Sequence, residues 1–483
     1  MPSNPNRRSS INRRRRLQNH NDHVGGGGKP FLTLSTLLRV MIASYLIFLA
    51  WVQSPVLRHV LQQTASVESD VNLTERRKLY HYQKSQDDDT FLPRILAIVF
   101  PQFHSDPLNN RLWGEGFSDW NNLRAAPSHN RLGYRIPRPA DLGYYNLTDT
   151  EPRRRQGELA HQYGIDGFIY HHYWFYDPKH PGPTLHAPLE AMLKDGHPNL
   201  PFALHWCATK WTNTWSGAVR KDFIFEQPGV LQKQYFPADN DTAIQEHYQW
   251  LRKFFHHPNY IKVDGGKPLF MVYQKKPGSF AVLDRLRQFA QEDGFPDLYL
   301  TVGLTMPHSH LMELDPTKKY DPPPQAFTQV IQKRFQRPLA YPHPATFNIN
   351  RTLEIPQWCL DPNLPNQPRV PDIAGIIPSF DNTPRRNYDQ ANIWSPGEPQ
   401  VVVKRFQHSL EAALYYEACC FPDEEQHRRY DDDRFVVINA MNEWAEGMAL
   451  EPSDVYGRTF LEAIQAAKQR VRLSQCHVES LIA

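Results

Sequence analysis

Cysteine is scarce: five occur in 483 residues, Cys207, Cys359, Cys419, Cys420 and Cys476. That is too few for the disulfide framework of a coreless secreted domain, and the spacing fits no zinc site. Their odd number leaves at least one unpaired within a monomer. Excess charge is scarce too, with 54 Lys and Arg against 51 Asp and Glu for a formal +3. The basic run of Arg7, Arg8 and Arg13 to Arg16 has no aromatic interleaving, which argues against nucleic-acid binding. No Gly-rich phosphate loop follows the first strand pattern, so a doubly wound nucleotide-binding sheet has little support. Aromatics are plentiful instead, at 12% with 11 Trp and 22 Tyr, material for a large core or for platforms lining a ligand cleft.

Long apolar runs are also rare. One spans Val40 to Val52, extended back to Phe31 across Arg39, and together these reach the ~20 residues that a bilayer crossing needs. Arg39 is placed to snorkel toward the basic side, and Trp51 marks the opposite interface. The basic flank predicts a type II signal anchor over residues 31–53, after a disordered cytosolic tail at 1–30 and before a polar lumenal stem at 54–92. A Golgi or other secretory-pathway membrane is the expected location; a cleaved signal peptide or an organellar presequence is the alternative. N-glycosylation patterns at Asn72, Asn146, Asn240 and Asn350 agree with lumenal exposure.

A folded region over 93–473, with a short tail at 474–483, shows repeated alternation. Buried-strand patterns occur at Ile95 to Phe100, Asp166 to Tyr170, Pro201 to Trp206, Pro268 to Tyr273, Leu298 to Gly303, Phe327 to Ile331, Ile373 to Ile377 and from Phe435. Helical patterns lie between most of them, among them Pro152 to Tyr163, Leu185 to Leu193, Thr242 to Phe255, Phe280 to Asp293 and Gln400 to Tyr416, with Gly457 to Arg472 closing the chain. Eight strands alternating with helices predict a (β/α)8 TIM-type barrel, whose loops after the strands carry function. Leu112 to Trp120 and His171 to Phe175 read as aromatic loops of this kind.

The densest chemistry follows the last strand, in Asn442-Glu443-Trp444-Ala445-Glu446-Gly447. Carboxylates three apart point to opposite faces of an extended strand, but a turn permitted by Gly447 makes them converge. Trp444 between them offers a wall that desolvates one carboxyl and raises its pKa. Paired carboxyls of unlike pKa serve glycosidic-bond chemistry, and Glu443 and Glu446 are the candidate catalytic pair; capping the next helix or pairing with arginines is the alternative. Substrate contacts are expected from His104, Trp113, His172, Tyr173, Trp174, Trp211, Tyr273, Asp381, Asn382, Arg385, Asn442 and Trp444. Among His104, His171 and His172 the preferred ligand contact is His172. Trp120 is a further stacking candidate. Asp431 to Asp433 matches the Asp-X-Asp form of metal-dependent sugar-nucleotide transferases, but it precedes its strand and so falls on the stability face of a barrel. A solvated loop beside Arg428 and Arg429 explains it better, and no metal or cofactor is expected.

These motifs carry a family resemblance. Pro101-Gln102-Phe103-His104, Trp113-Gly114, Leu142-Gly143-Tyr144-Tyr145, Tyr163 to Phe168, His172-Tyr173-Trp174-Phe175, Gly266-Lys267-Pro268-Leu269, Asp381 to Arg386 and Asn442 to Gly447 resemble the WbsX-type glycosyltransferases, related to the barrels of glycoside hydrolase family 99, the endo-α-mannosidases and endomannanases. The resemblance implies that Glu443 is the base on a sugar 2-hydroxyl and Glu446 the acid and base at the glycosidic oxygen, with retention through a 1,2-anhydro sugar. It implies an oligosaccharide or glycoconjugate substrate, with a mannosyl group a candidate. The chain departs from the pattern at Trp206-Cys207-Ala208-Thr209, where the family carries Trp-Ala-Asn-Glu, and at Trp215-Ser216-Gly217 in place of Trp-Asp-Gly. Three classes stay open: a hydrolase, a sugar-nucleotide-dependent glycosyltransferase, and a glycan-binding barrel without catalysis.

Overall fold

The computed structural model describes residues 92–212, 229–263, 265–273, 278–304, 328–329, 359, 374–394, 396–420 and 434–476. The tail, the anchor, the stem up to residue 91, Trp215, Ser216, Asn72, Asn350 and Asp431 to Asp433 lie outside them. Among the described residues no helix is long and apolar enough to cross a membrane.

Eight strands form one closed ring: β1 (Arg94–Val99), β2 (Gly167–Phe175), β3 (Phe202–Trp206), β4 (Lys267–Val272), β5 (Tyr299–Leu304), β6 (Thr328–Gln329), β7 (Ala374–Ile376) and β8 (Phe435–Ile438). Each pairs with the next, and β8 returns to β1 through Arg94↔Phe435 to Ala97↔Ile438. Closure leaves no barrel edge unpaired. Val, Ile, Leu and Phe dominate β1 and β8 because both faces are covered, one by the barrel interior and one by helices.

Three expectations change. The strand at β6 runs antiparallel to both β5 and β7, so the sheet is mixed rather than wholly parallel. A parallel connection needs a crossover of a dozen or more residues, usually helical, and the Pro-rich sequence from Pro307 offers no such helix pattern. The second change is in β2, which runs on to Phe175, so His171 to Phe175 is strand and not loop. Leu112 to Trp120 also shrinks as a loop, since α1 (Pro107–Trp113) and α2 (Asp119–Ala125) flank it. Asp106 caps α1 by accepting from the Leu108 N–H at 2.9 Å.

Among the described residues, the remaining helices are α3 (Thr150–Tyr163), α4 (Ala187–Asp195), α5 (Asp241–Phe255), α6 (Ser279–Glu292), α7 (Pro399–Cys419) and α8 (Thr459–Ser474). Their spacing of apolar residues sets what they bury. On α5, Ile244, Tyr248, Leu251 and Phe255 recur at three- and four-residue steps and are all buried, and Asn240 caps the start by accepting from the Ala243 N–H at 3.1 Å. Disulfides join Cys359 to Cys420 and Cys419 to Cys476, tying the end of α7 to the end of α8. Cys207 is the free, buried thiol.

Candidate active site

The turn after β8 is built by local sequence. Asn442–Glu443 pairs antiparallel with Met448–Ala449 around a 3-10 turn at Trp444–Glu446. Gly447 closes the turn at φ 66°, and a Cβ there would stand 3.0 Å from the Asp381 amide nitrogen. Conformation and close approach both demand glycine. Asp381 in turn orders its own segment, accepting from the Thr383 N–H at 2.9 Å and from Asn130 at 2.9 Å. Asn382 accepts from the Asn392 N–H at 2.7 Å. These bonds set the 3-10 turn Thr383–Arg385, from which Arg385 reaches the glutamates.

Arg385 is the hub. Its Nη2 donates to Glu443 Oε1 at 2.6 Å and to Asp119 Oδ2 at 2.7 Å, while Nη1 donates to Glu446 Oε1 at 2.7 Å. One guanidinium therefore holds three carboxylates, using the fork that lysine lacks. Its carbon lies 5.0 Å from the centroid of the Phe100 ring. Glu443 is pushed up to about 8, chiefly by burial; Arg385 pulls it down, and the charges of Glu446 and Asp119 push it up.

A cavity of about 760 Å³ opens beside this cluster, where the C-terminal ends of β1, β2, β3, β4, β7 and β8 deliver their residues. Glu443, Glu446, Arg385, Trp113, Tyr173, Trp211 and Tyr273 line it, so seven of the residues singled out in the sequence meet in one place.

Eight others do not. On β2 the pleat alternates, sending His171 and Tyr173 inward and His172 and Trp174 outward against α5. His172 Nε2 lies 2.8 Å from His247 Nε2, and its ring stacks on Trp250 at 4.4 Å. Trp174 stacks on His247 at 4.6 Å. His104 is buried and donates through Nδ1 to the Pro101 carbonyl at 2.8 Å. Asp381 and Asn382 serve the turn described above. Asn442 accepts from the Phe100 N–H at 2.7 Å and donates to the Phe100 carbonyl at 3.0 Å, locking the exit of β1. Trp444 donates its indole N–H to Glu451 at 2.7 Å, behind the cavity. Trp120 likewise spends its indole N–H on the Tyr145 carbonyl at 2.6 Å.

His171, the candidate set behind His172, lines the cavity as well. His171 Nδ1 sits 3.2 Å from Cys207 Sγ, and burial, with Arg385 adding to it, holds the imidazole down at about 3, so it is neutral. Gln102, Lys210 and Arg386 also line the cavity. Alternation along β2 would have chosen His171 had the strand been drawn to its full length. Asp119 carried no local signal, because its partner Arg385 lies 266 residues away.

The profile described as Glycosyltransferase WbsX matches residues 95–464, the barrel from β1 into α8. The chain belongs to the WbsX glycosyltransferase family. Within curated proteins this family member is similar to protein WxcX of Xanthomonas campestris pv. campestris, strain B100, at 28% identity over 435 residues, covering 87% of this chain and 56% of the relative. The same protein from strain ATCC 33913 matches equally. The chain spans about half the length of these curated relatives. Among solved structures, the GH99 endo-alpha-mannosidase from Bacteroides thetaiotaomicron aligns with a TM-score of 0.41 at 14% identity, covering 79% of this chain and 98% of that one. A glycoside hydrolase-like protein aligns with a TM-score of 0.41 at 14% identity, over 78% and 94%.

Proposed function

We propose that this WbsX-family barrel is a carbohydrate-active enzyme that cleaves or transfers glycosyl groups with Glu443 and Glu446. The observation carrying this is the convergence of both glutamates on one cavity at the C-terminal end of the barrel, held in place by Arg385. Motif resemblance supplies the roles. Glu443 takes the proton of a sugar 2-hydroxyl as O2 attacks C1, and Glu446 gives a proton to the departing glycosidic oxygen. Glu446 then takes a proton from the incoming hydroxyl that opens the 1,2-anhydro ring, and Glu443 returns its proton to O2. Every proton is accounted for, and water or a sugar serves equally as acceptor. A Glu443 raised to about 8 suits this work, since a base with a pKa near the working pH is strong without being permanently protonated.

Two indole rings, Trp113 and Trp211, line the cavity and support a pyranose-binding role. The two disulfides support maturation in an oxidising compartment. With the basic tail and apolar run before the barrel, they make a type II secretory-membrane protein our proposed setting. The test mixes the purified full chain with mannose-containing and other oligosaccharides, with and without sugar nucleotides, and reads mass change. Shortening without a nucleotide identifies a hydrolase; lengthening with one nucleotide identifies a transferase and its donor. Absence of either product across the panel, with glycans still bound, favours a binding barrel and sinks the catalytic reading.

A further inference from the structure

Among the described residues, three cations and two carboxylates line the cavity: Lys210, Arg385 and Arg386 against Glu443 and Glu446. Arg385 is occupied by its three ion pairs. Arg386, next in the chain, is half-buried and makes no ion pair among the described residues. Burial lowers its pKa first, the charge of Glu446 acts against that, and the neighbouring Arg385 adds to the lowering. A guanidinium partly stripped of water and left without a carboxylate is held at a cost in free energy. Lys210, at the exposed rim, likewise has no ion-pair partner among the described residues.

The two cations come from loops after β7 and β3, four positions apart in a ring of eight strands, so they approach from opposite sides of the mouth. In the lining of the same cavity, the buried side-chain nitrogen of Gln102 is a donor with no hydrogen-bond partner among the described residues. Thr209, between Ala208 and Lys210, lines the cavity where the resembling motif has glutamate, so it adds no negative charge. A wholly neutral sugar gives these donors nothing that water does not give. Unpaired cations also oppose the positive charge that gathers at C1 as a glycosidic bond breaks. Negative charge on the ligand removes both penalties at once.

We infer that the sugar bound here carries an oxyanion, a carboxylate or a phosphoryl group, that docks on Arg386 with Lys210 across the mouth. This rests on the carbohydrate reading of the same cavity and narrows it to an acidic substrate class. The oxyanion has two sources, an acidic sugar within the glycan or the diphosphate of a sugar nucleotide.

Equilibrium binding to the full chain tests it. Matched sulfur-linked disaccharides, which resist cleavage, differ only in one group: a hexose, its uronic acid, or its 6-phosphate; a sugar nucleotide forms a fourth arm. At least one anionic arm is expected to bind tenfold or more tightly than the neutral disaccharide, with the advantage shrinking as salt rises. Arg386→Gln is expected to erase that advantage while leaving the neutral affinity within about twofold, and Arg386→Lys to restore part of it, which excludes misfolding. Preference for the nucleotide arm alone assigns the oxyanion to the donor, and preference for an acidic disaccharide assigns it to the glycan. Equal affinity for neutral and anionic arms, or a preference that survives Arg386→Gln, overturns the inference and leaves the carbohydrate reading standing. Failure of every arm to bind overturns both.

Discussion

His171 and His172 are neighbours on one strand, both buried and both held neutral by burial, yet they belong to different parts of the molecule. His171 faces the cavity with Tyr173, near Arg385; His172 faces α5 with Trp174, inside a stack formed by His247 and Trp250. Composition does not separate the two faces, since each is polar, aromatic and buried. What separates them is the side of the sheet, because inner side chains meet charge and an opening while outer ones meet a helix. Substitutions inside should alter chemistry at little cost in stability, and substitutions outside should do the reverse.

The largest expected effect is inside. Glu446→Gln keeps the shape of a side chain that is only partly buried and removes its proton transfer, so kcat should fall by about 10³-fold, within the usual range for a general acid or base. Its melting temperature should move by no more than about 2 °C, as for a substitution away from any packing defect. Steady-state kinetics and thermal unfolding on one preparation check both, and retained turnover would move the acid elsewhere.

Arg385→Gln breaks the comparison deliberately, because this inner residue is also structural. Three carboxylates lose their common partner, two of them deeply buried, and stability should drop by about 3–5 kcal/mol. Urea unfolding measures it. Arg385→Lys should recover little, as one ammonium cannot reproduce the fork; full recovery would mean that charge alone, without geometry, holds the cluster.

On the outer face, Trp250→Ala removes the ring stacked on His172 and should cost about 3–5 kcal/mol. Turnover per folded molecule should stay within about twofold of the parent. A large loss of kcat in protein that is still folded would show that the outer stack governs the cavity, and the division by sheet face would fail.

The sequence carried much of this architecture and part of the site. Strands rich in Val, Ile and Leu were legible because a buried parallel strand needs little else, and seven of the eight run as the pattern implied. The reversal at β6 was not legible, since it is a two-residue strand and direction leaves no mark on so short a run. Glu443 and Glu446 could be picked out because a turn-forming glycine follows them directly. Reading His171 to Phe175 as a loop hid the alternation that places His171, and not His172, on the cavity side. Asp119 and Arg385 meet only through the fold, and nothing near either residue announces the other.

Two buried glutamates give the finest form of the comparison, one on each side of the wall. Glu443 faces the cavity and is raised to about 8; Glu451 lies behind it, among donors from Gln156, Trp444 and Tyr145, and is raised by burial to about 7. Both exceed the ordinary 4.5, so between that value and the raised one the folded chain binds more protons than the unfolded chain. Stability must therefore fall as pH climbs through that window and level off above it, by up to about 3 kcal/mol for Glu451. Glu451→Gln should flatten the part of the slope that ends near pH 7 and leave the pH dependence of kcat/KM unchanged. Glu443, as the base, should set an activity limb that rises with pH toward about 8, opposite in sign to its effect on stability. Chemical denaturation and initial rates from pH 5 to 9 read the two effects separately. An activity limb that falls through pH 8 would exchange the roles of Glu443 and Glu446, making the more deeply buried carboxyl the acid.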